Sequence, residues 1–481
     1  MTIQLHIVYL ILAAASRIAL CLIVLKDKTV QDNALSWVLL MILFPWAGVI
    51  LYLIFGKDYR SEGDRQYIHS EAIRRFKEEI PAQLYAVLVP GGNEDKLEPD
   101  FRPLAKLMSA CGEGNKVFEG NTIERITSGA RKKELLMADI EAARKSIHME
   151  YFRFSNDDSG TQVRDLLARK AAEGVEVRFL LNSLVARKIP RSFWKPLKDA
   201  GAQVVSYTSI SQGLRLLLMR LNCQQHRKIV VIDGRIGFTG GMNINDNYFN
   251  LWQDAHVRIE GPAVARLQAS FLDTWLSCKG SVEKPLSEYF EPVMPAPEGK
   301  LLQIVTDEAD FPWLTTQMAY EWVLGNAKDY VYFQTPYFVP PTSFLNALKA
   351  AALRGVDVRV MLSQKVDTPI MGPLNRSYYS ECLEAGVKIL EAGGEFTHAK
   401  TMVADDYVSV IGATNLDVRS FEINSEVNTF IYDRQTALEC KKDFLSRTEG
   451  AISWTTESWR KSRTALADLG SRLVRLLYME F

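Results

Sequence analysis

Two stretches of the chain carry the same polar residues at the same spacing. HRKIVVIDGRIGFTGGMN occupies residues 226–243, and HAKTMVADDYVSVIGATN occupies 398–415. In each, Lys stands two after His, Asp five after Lys, Gly seven after Asp and Asn three after Gly. An acid follows eleven residues beyond each Asn, Asp254 in one copy and Glu426 in the other. With only six His in the chain, His-x-Lys with a correctly placed Asp is expected by chance ~0.02 times. Two matched copies are therefore not coincidence. A strand and turn would explain the apolar positions but not the polar ones. His and Lys two apart on a strand share a face, which suits a pocket.

This set suits phosphodiester exchange without a metal. A neutral imidazole attacks phosphorus, and a second, protonated imidazole protonates the leaving alkoxide. His226 and His398 supply that pair. Lys228, Lys400, Asn243 and Asn415 supply fixed charge and donors for the phosphate oxygens. An acid on the distal ring nitrogen fixes the tautomer. Asp254 and Glu426, each 28 residues after the His of its own copy, fit that role. Asp233 and Asp405 complete the catalytic candidates, but they stand at strand-to-turn junctions. Hydrogen bonding to nearby backbone is there as good an account as catalysis. No cluster has metal-ligand spacing, so neither metal nor cofactor is expected.

The elements that position these residues are themselves duplicated. IEAARKSIHMEYFRF leads through a helical stretch to GVEVRFLLN, which starts at Gly174. WVLGNAKDYVYFQTPYF leads to ALKAAALRGVDVRVMLS, with its Gly at Gly355. Helix–strand alternation of this kind predicts an α/β sandwich in each half. Glu150 with Tyr151, and Thr335 with Tyr337, end corresponding strands as pocket or core residues. His148 and His256 read as structural. Between the halves, Pro285, Pro292, Pro295 and Pro297 mark a linker. The expected lobes are 116–283 and 298–450, separated by a linker at 284–297.

Composition narrows the partners. Lys plus Arg and Asp plus Glu each total 57, without the basic excess of a general nucleic-acid binder. The six Cys are scattered with no C-x-x-C pair, which suits free thiols in a reducing compartment. Residues 34–55 carry no charge and are long enough to cross a bilayer, with Pro45 as a kink. Residues 3–25 form a second apolar run interrupted by His6 and Arg17, either spanning or interfacial. Residues 1–58 thus read as a membrane hairpin, and 59–115 as a connecting region. Lys57, Arg60, Arg65, Arg74, Arg75 and Lys77 outnumber Lys26 and Lys28 of the short connection. The positive-inside rule then puts the lobes in the cytoplasm. The remaining 451–481 reads as a C-terminal helix, packed rather than lying on a membrane.

The duplicated His-Lys-Asp cassette resembles the signature of the phospholipase D superfamily. The two apolar N-terminal segments, GGMNI and NLDVRSFEINSEV are similar to those of bacterial cardiolipin synthases. That resemblance, nearly full-length, implies two phospholipase D-like α/β lobes behind an N-terminal transmembrane hairpin, in a multi-pass protein of the bacterial inner membrane. It implies transfer of a phosphatidyl group between two phosphatidylglycerols, giving cardiolipin and glycerol through a phosphatidyl-histidine. By that analogy His226 is the nucleophile and His398 the general acid, then base. Anionic membrane lipid would be the partner, with no nucleic acid. Superfamily members often carry Ser or Thr after the motif Gly. Here Gly241 and Ala413 stand there, so a phosphate contact at that point falls to the backbone. The alternatives are a hydrolase, a phosphatidyl transferase using another alcohol, a nuclease, and a scaffold with inactive cassettes.

Overall fold

The computed structural model describes residues 18, 22, 24, 34–60, 62–182, 189–208 and 213–479. Cys21 and most of the first apolar run lie outside the described residues. In chain order the strands are β1 (Val117–Ile126), β2 (Ser146–Tyr151), β3 (Glu176–Leu181), β4 (Gln203–Ser206), β5 (Lys228–Ile232), β6 (Ile236–Gly240) and β7 (His256–Glu260). The second half contributes β8 (Lys300–Asp307), β9 (Tyr330–Gln334), β10 (Phe338–Val339), β11 (Asp357–Ser363), β12 (Lys388–Ala392) and β13 (Thr401–Ala404). It continues with β14 (Val408–Gly412), β15 (Leu416–Asp417), β16 (Glu426–Tyr432) and β17 (Ile452–Trp454).

All but β10 and β15 join one sheet, ordered β17-β12-β11-β9-β13-β14-β16-β8-β1-β7-β6-β5-β2-β3-β4. The order reads as a near mirror about the antiparallel β8–β1 pair, so the duplicated halves form one continuous sheet. In both, a helix returns to a parallel strand: β2 with β3, and β9 with β11. The turn before each second strand needs a left-handed residue, and Gly174 (φ 93°) and Gly355 (φ 100°) provide it without a Cβ clash.

Strand alternation divides the core. Val230 and Ile232 of β5 pack within the first half, whereas Ile229 and Val231 face a cluster built from both halves. That shared cluster joins Val264 and Leu267 to Ala437 and Phe444 across the sheet centre. Burying it removes from water the faces that would otherwise separate the halves.

Three segments have more structure than their sequence reading described. The uncharged run at 34–55 is not one continuous helix: at the expected Pro45 kink it breaks at Phe44 into helices Ala34–Leu43 and Pro45–Leu51, followed by a π-helical turn at Tyr52–Gly56. Pro45 starts the second helix, where its missing N–H costs nothing. Among the described residues no helix is long and apolar enough to cross a membrane. The 59–115 region is largely helical and packed, with Ala72 and Leu88 in one cluster and Leu104 and Met108 in another. Residues 451–481 are not a single helix. They begin with β17, which extends the sheet beside β12, and continue through helices Thr456–Ser462 and Ala465–Met479. The last helix packs: Arg475 pairs with Glu381 at 2.7 Å and covers the Tyr378 ring.

Candidate active site

Each cassette enters its strand immediately after the catalytic candidate. His226 and His398 precede β5 and β13, and each acid begins or precedes the strand closing the same half. Two bridges bind the halves at this point: Gln225 with Ser425, and Gln253 with Thr397. The His226 amide donates to the Ser425 carbonyl at 2.9 Å, and that of His398 to the Gln253 carbonyl at 2.7 Å.

This bridging exchanges the acids. His226 Nδ1 lies 3.0 Å from both Glu426 oxygens, and His398 Nδ1 lies 2.8 Å from Asp254 Oδ2. The spacing within each copy left open which imidazole each acid would meet; the structure pairs each His with the acid of the other copy. Each residue before a His is bridged to the residue before the opposite acid, so the nearest carboxylate comes from the other half. With Nδ1 held by an acid, Nε2 is the ring nitrogen left for chemistry.

The lysines flank the rings. Lys228 Nζ donates to the His226 carbonyl at 2.6 Å, and Lys400 Nζ lies 3.0 Å from His398 Nε2. Asn243 accepts from the Arg153 amide at 3.0 Å and donates to the Tyr248 hydroxyl at 2.9 Å. Asn415 donates to Ser420 Oγ at 3.3 Å, and its buried Oδ1 has no hydrogen-bond partner among the described residues. Each amide nitrogen has a second hydrogen left for a phosphate oxygen.

Burial sets the electrostatics. It pushes Lys228 down to about 7 and Lys400 down to about 8. It lifts Asp254 to about 6 and Glu426 to about 7, against the pull of the lysines. Both imidazoles are held well below 6.5 by burial and then by the two lysines. Charged forms of either sign are thus costly here, and an arriving phosphodiester anion would stabilise both lysines.

Asp233 and Asp405 sit at the other end of their strands. Asp233 (φ 53°) accepts from the amides of Arg144, Lys145 and Ser146 at 2.8, 2.7 and 2.9 Å. Asp405 (φ 47°) accepts from Lys328, Asp329 and Tyr330 at 2.7, 3.0 and 3.0 Å. Their carboxylates pin the preceding helix-to-strand turn, and the catalytic reading of these two is corrected to a structural one. The backbone amides beside the motif Gly, to which any phosphate contact at that point would fall, are also committed. Gly241 N–H donates to Ala255 O at 2.9 Å and Ala413 N–H to Val427 O at 3.0 Å. A Cβ on Gly241 would overlap the Asp254 carboxylate, which explains Gly at that position.

Glu150 lies in the core, bound to Gln225 and 3.2 Å from Arg227. Tyr151 is core, whereas Tyr337 reaches the site, its ring centroid 6.5 Å from that of His398. His148 is structural: it stacks on Phe271, and burial lowers it to about 3. His256 is buried on β7.

Sequence reasoning missed Tyr248, whose hydroxyl is 3.3 Å from both His398 ring nitrogens, and Ser420, its positional counterpart. Both stand five residues after their cassette Asn, on π-helical turns Asn247–Leu251 and Arg419–Ile423. That shared spacing was the available signal, hidden because Tyr and Ser look unrelated. Phe152 meets the His226 ring edge-on at 4.8 Å, without a motif to announce it.

The family model described as cardiolipin synthase, phospholipase D-like domain, matches residues 136–275 and 322–448. The chain belongs to the cardiolipin synthase family. It is an enzyme of that family with two phospholipase D-like α/β halves. A phospholipase D-nuclease N-terminal model matches residues 14–57. The chain is 32% identical over 479 residues to a cardiolipin synthase of Geobacillus kaustophilus, covering 96% of this chain and 92% of the relative. It is 35% identical over 430 residues to the major cardiolipin synthase ClsA of Bacillus subtilis, covering 86% of each. The fold is similar to a phosphatidylserine synthase from Haemophilus influenzae, with TM-score 0.59 and 15% identity over 79% of this chain and 98% of that one.

Proposed function

We propose that the enzyme transfers a phosphatidyl group from one phosphatidylglycerol to another, giving cardiolipin and glycerol. The observation that carries this reading is the pair of buried imidazoles, each oriented by an acid from the opposite half and flanked by a lysine. His226 Nε2 attacks phosphorus of the first lipid, and His398 protonates the departing glycerol oxygen. The products of this step are free glycerol and a phosphatidyl group on His226. His398 then takes the proton from the terminal hydroxyl of the second lipid. That oxygen attacks phosphorus, the bond to His226 breaks, and cardiolipin leaves. Lys228 and Lys400 balance charge on the non-bridging oxygens, helped by the free amide hydrogens of Asn243 and Asn415.

The N-terminal segment supports a lipid substrate. Leu35, Ile42, Leu43, Phe44 and Ile50 are exposed on the two short helices, an apolar surface suited to the acyl boundary. We place this segment in the bacterial membrane with the lobes on the cytoplasmic side. A C-terminal reporter phosphatase active only outside the cytoplasm should remain inactive; activity would reverse that orientation.

Purified full-length protein incubated with phosphatidylglycerol vesicles should release cardiolipin and glycerol in equal amounts. Phosphatidic acid without cardiolipin would make the enzyme a hydrolase instead. Acid-sparing digestion of quenched protein should yield phosphatidyl label on the peptide containing His226. Label on His398 alone would reverse the two roles.

A further inference from the structure

Outside the catalytic centre, His69 meets two acids remote from it in sequence, Glu308 and Asp310. His69 caps helix Ser70–Glu79, directly after the N-terminal helices, while Glu308 and Asp310 lie in the turn following β8. His69 Nε2 is 3.0 Å from Asp310 Oδ2 and 3.9 Å from Glu308 Oε2. One donor atom from each of the three fits within a 4.8 Å span. His69 Nδ1 lies 2.9 Å from the Asp273 carboxylate, which aims Nε2 at the other two acids.

Two of these donors have little but each other. His69 Nε2 and Asp310 Oδ2 are buried and meet as an ion pair at 3.0 Å, and among the described residues neither has a further hydrogen-bond partner. Buried groups of this kind are costly unless something satisfies them. The charge is also unbalanced. Glu308 accepts from Arg227 through its other oxygen at 2.7 Å, and among the described residues Asp273 and Asp310 form ion pairs only with His69.

We propose that His69 Nε2, Asp310 Oδ2 and Glu308 Oε2 bind one divalent cation of the Zn2+ or Mn2+ type. Ligand bonds of about 2.0–2.2 Å in a tetrahedral site separate donors by about 3.4 Å, between the two spacings seen here. One imidazole and two carboxylates suit these ions, and Asp273 on the far nitrogen completes a carboxylate–histidine–metal arrangement. The cation would tie the segment that follows the apolar helices to the turn between the halves. Through Glu308 and Arg227 it also reaches the residue next to His226. A proton is the rival occupant: burial lowers the affinity of His69 for one, but Asp273 and Asp310 outweigh this and hold it well above 6.5.

The test uses full-length protein in detergent, stripped with a chelator and titrated with Zn2+ or Mn2+. One equivalent per chain should bind and raise the melting temperature. Asp310→Asn should abolish the tight equivalent, and the milder Asp273→Asn should weaken it by about 10- to 100-fold. His226→Ala should bind as wild type, separating this site from the catalytic imidazoles. The proposal fails if stripped wild type binds no cation more tightly than Asp310→Asn. It also fails if cations leave the melting temperature unchanged while wild type, but not His69→Gln, loses stability as pH rises through neutrality.

Discussion

At the residue scale, the exchange of acids makes a specific prediction. Glu426→Gln should remove the downfield Nδ1–H resonance of His226 and leave that of His398, whereas Asp254→Asn should do the reverse. Each change should lower kcat by about 10²–10⁴-fold, the range for a general acid–base group or its orienting acid. Loss of the His398 resonance in Glu426→Gln would mean that the acids serve their own copies. The pH profile follows from the same residues. Protonating Asp254 (about 6) and Glu426 (about 7) removes the Nδ1 acceptors as pH falls. Deprotonating Lys228 (about 7) and Lys400 (about 8) removes phosphate-binding charge as pH rises. The kcat/KM profile on mixed micelles should therefore be a narrow bell centred near neutrality. A flat profile from pH 6 to 9 would contradict it. Stability has its own sign for Glu426, whose folded pKa is raised. Its contribution is full below the unfolded value and declines as pH rises through the folded one, so an ionised Glu426 is kept for function at a cost in stability.

At the scale of elements, the two cassette aspartates separate folding from catalysis. Asp233→Ala should lower stability by at least about 1.5–3 kcal/mol, the worth of a hydrogen bond to a charged group, while kcat of the folded fraction stays unchanged. Thermal denaturation and active-site titration check the two halves of that statement. The motif Gly behaves in the opposite way. Gly241→Ala would drive the Asp254 carboxylate off His398, and kcat should fall about 10²-fold, as for other misplaced catalytic groups. Full activity in that variant would show that the loop yields instead. Both positions lie in motifs visible in the sequence, yet only packing separates their jobs. Asp233 touches three amides of a turn 87 to 89 residues earlier in the chain, while Gly241 touches a catalytic acid.

At the scale of the whole molecule, neither half holds a complete site. The β8–β1 pair makes one sheet of two, and the bridges at Gln225 and Gln253 give each His its acid. Residues 1–297 and 298–481 produced separately should show no transfer. Produced together, they should regain it if the shared cluster around Ile229, Val257 and Val427 reforms. Activity from one half alone would require a second copy to supply the missing acid, detectable as a dimer by light scattering.

The sequence by itself determined the duplication, the polar set of each copy and the α/β alternation, because these are local patterns of residue type and spacing. It located Asp254 and Glu426 without saying which imidazole each would meet, since that depends on two bridges between segments about 145 to 200 residues apart. The uncharged run at 34–55 was legible as apolar with a kink at Pro45, but the packing of Trp37 and Met41 with Tyr52 across its helices and turn was not. Likewise His69, Glu308 and Asp310 share no spacing that a linear reading could recognise. Only the tertiary structure decided these points, since burial, charge balance and hydrogen-bond geometry arise between elements and not within them.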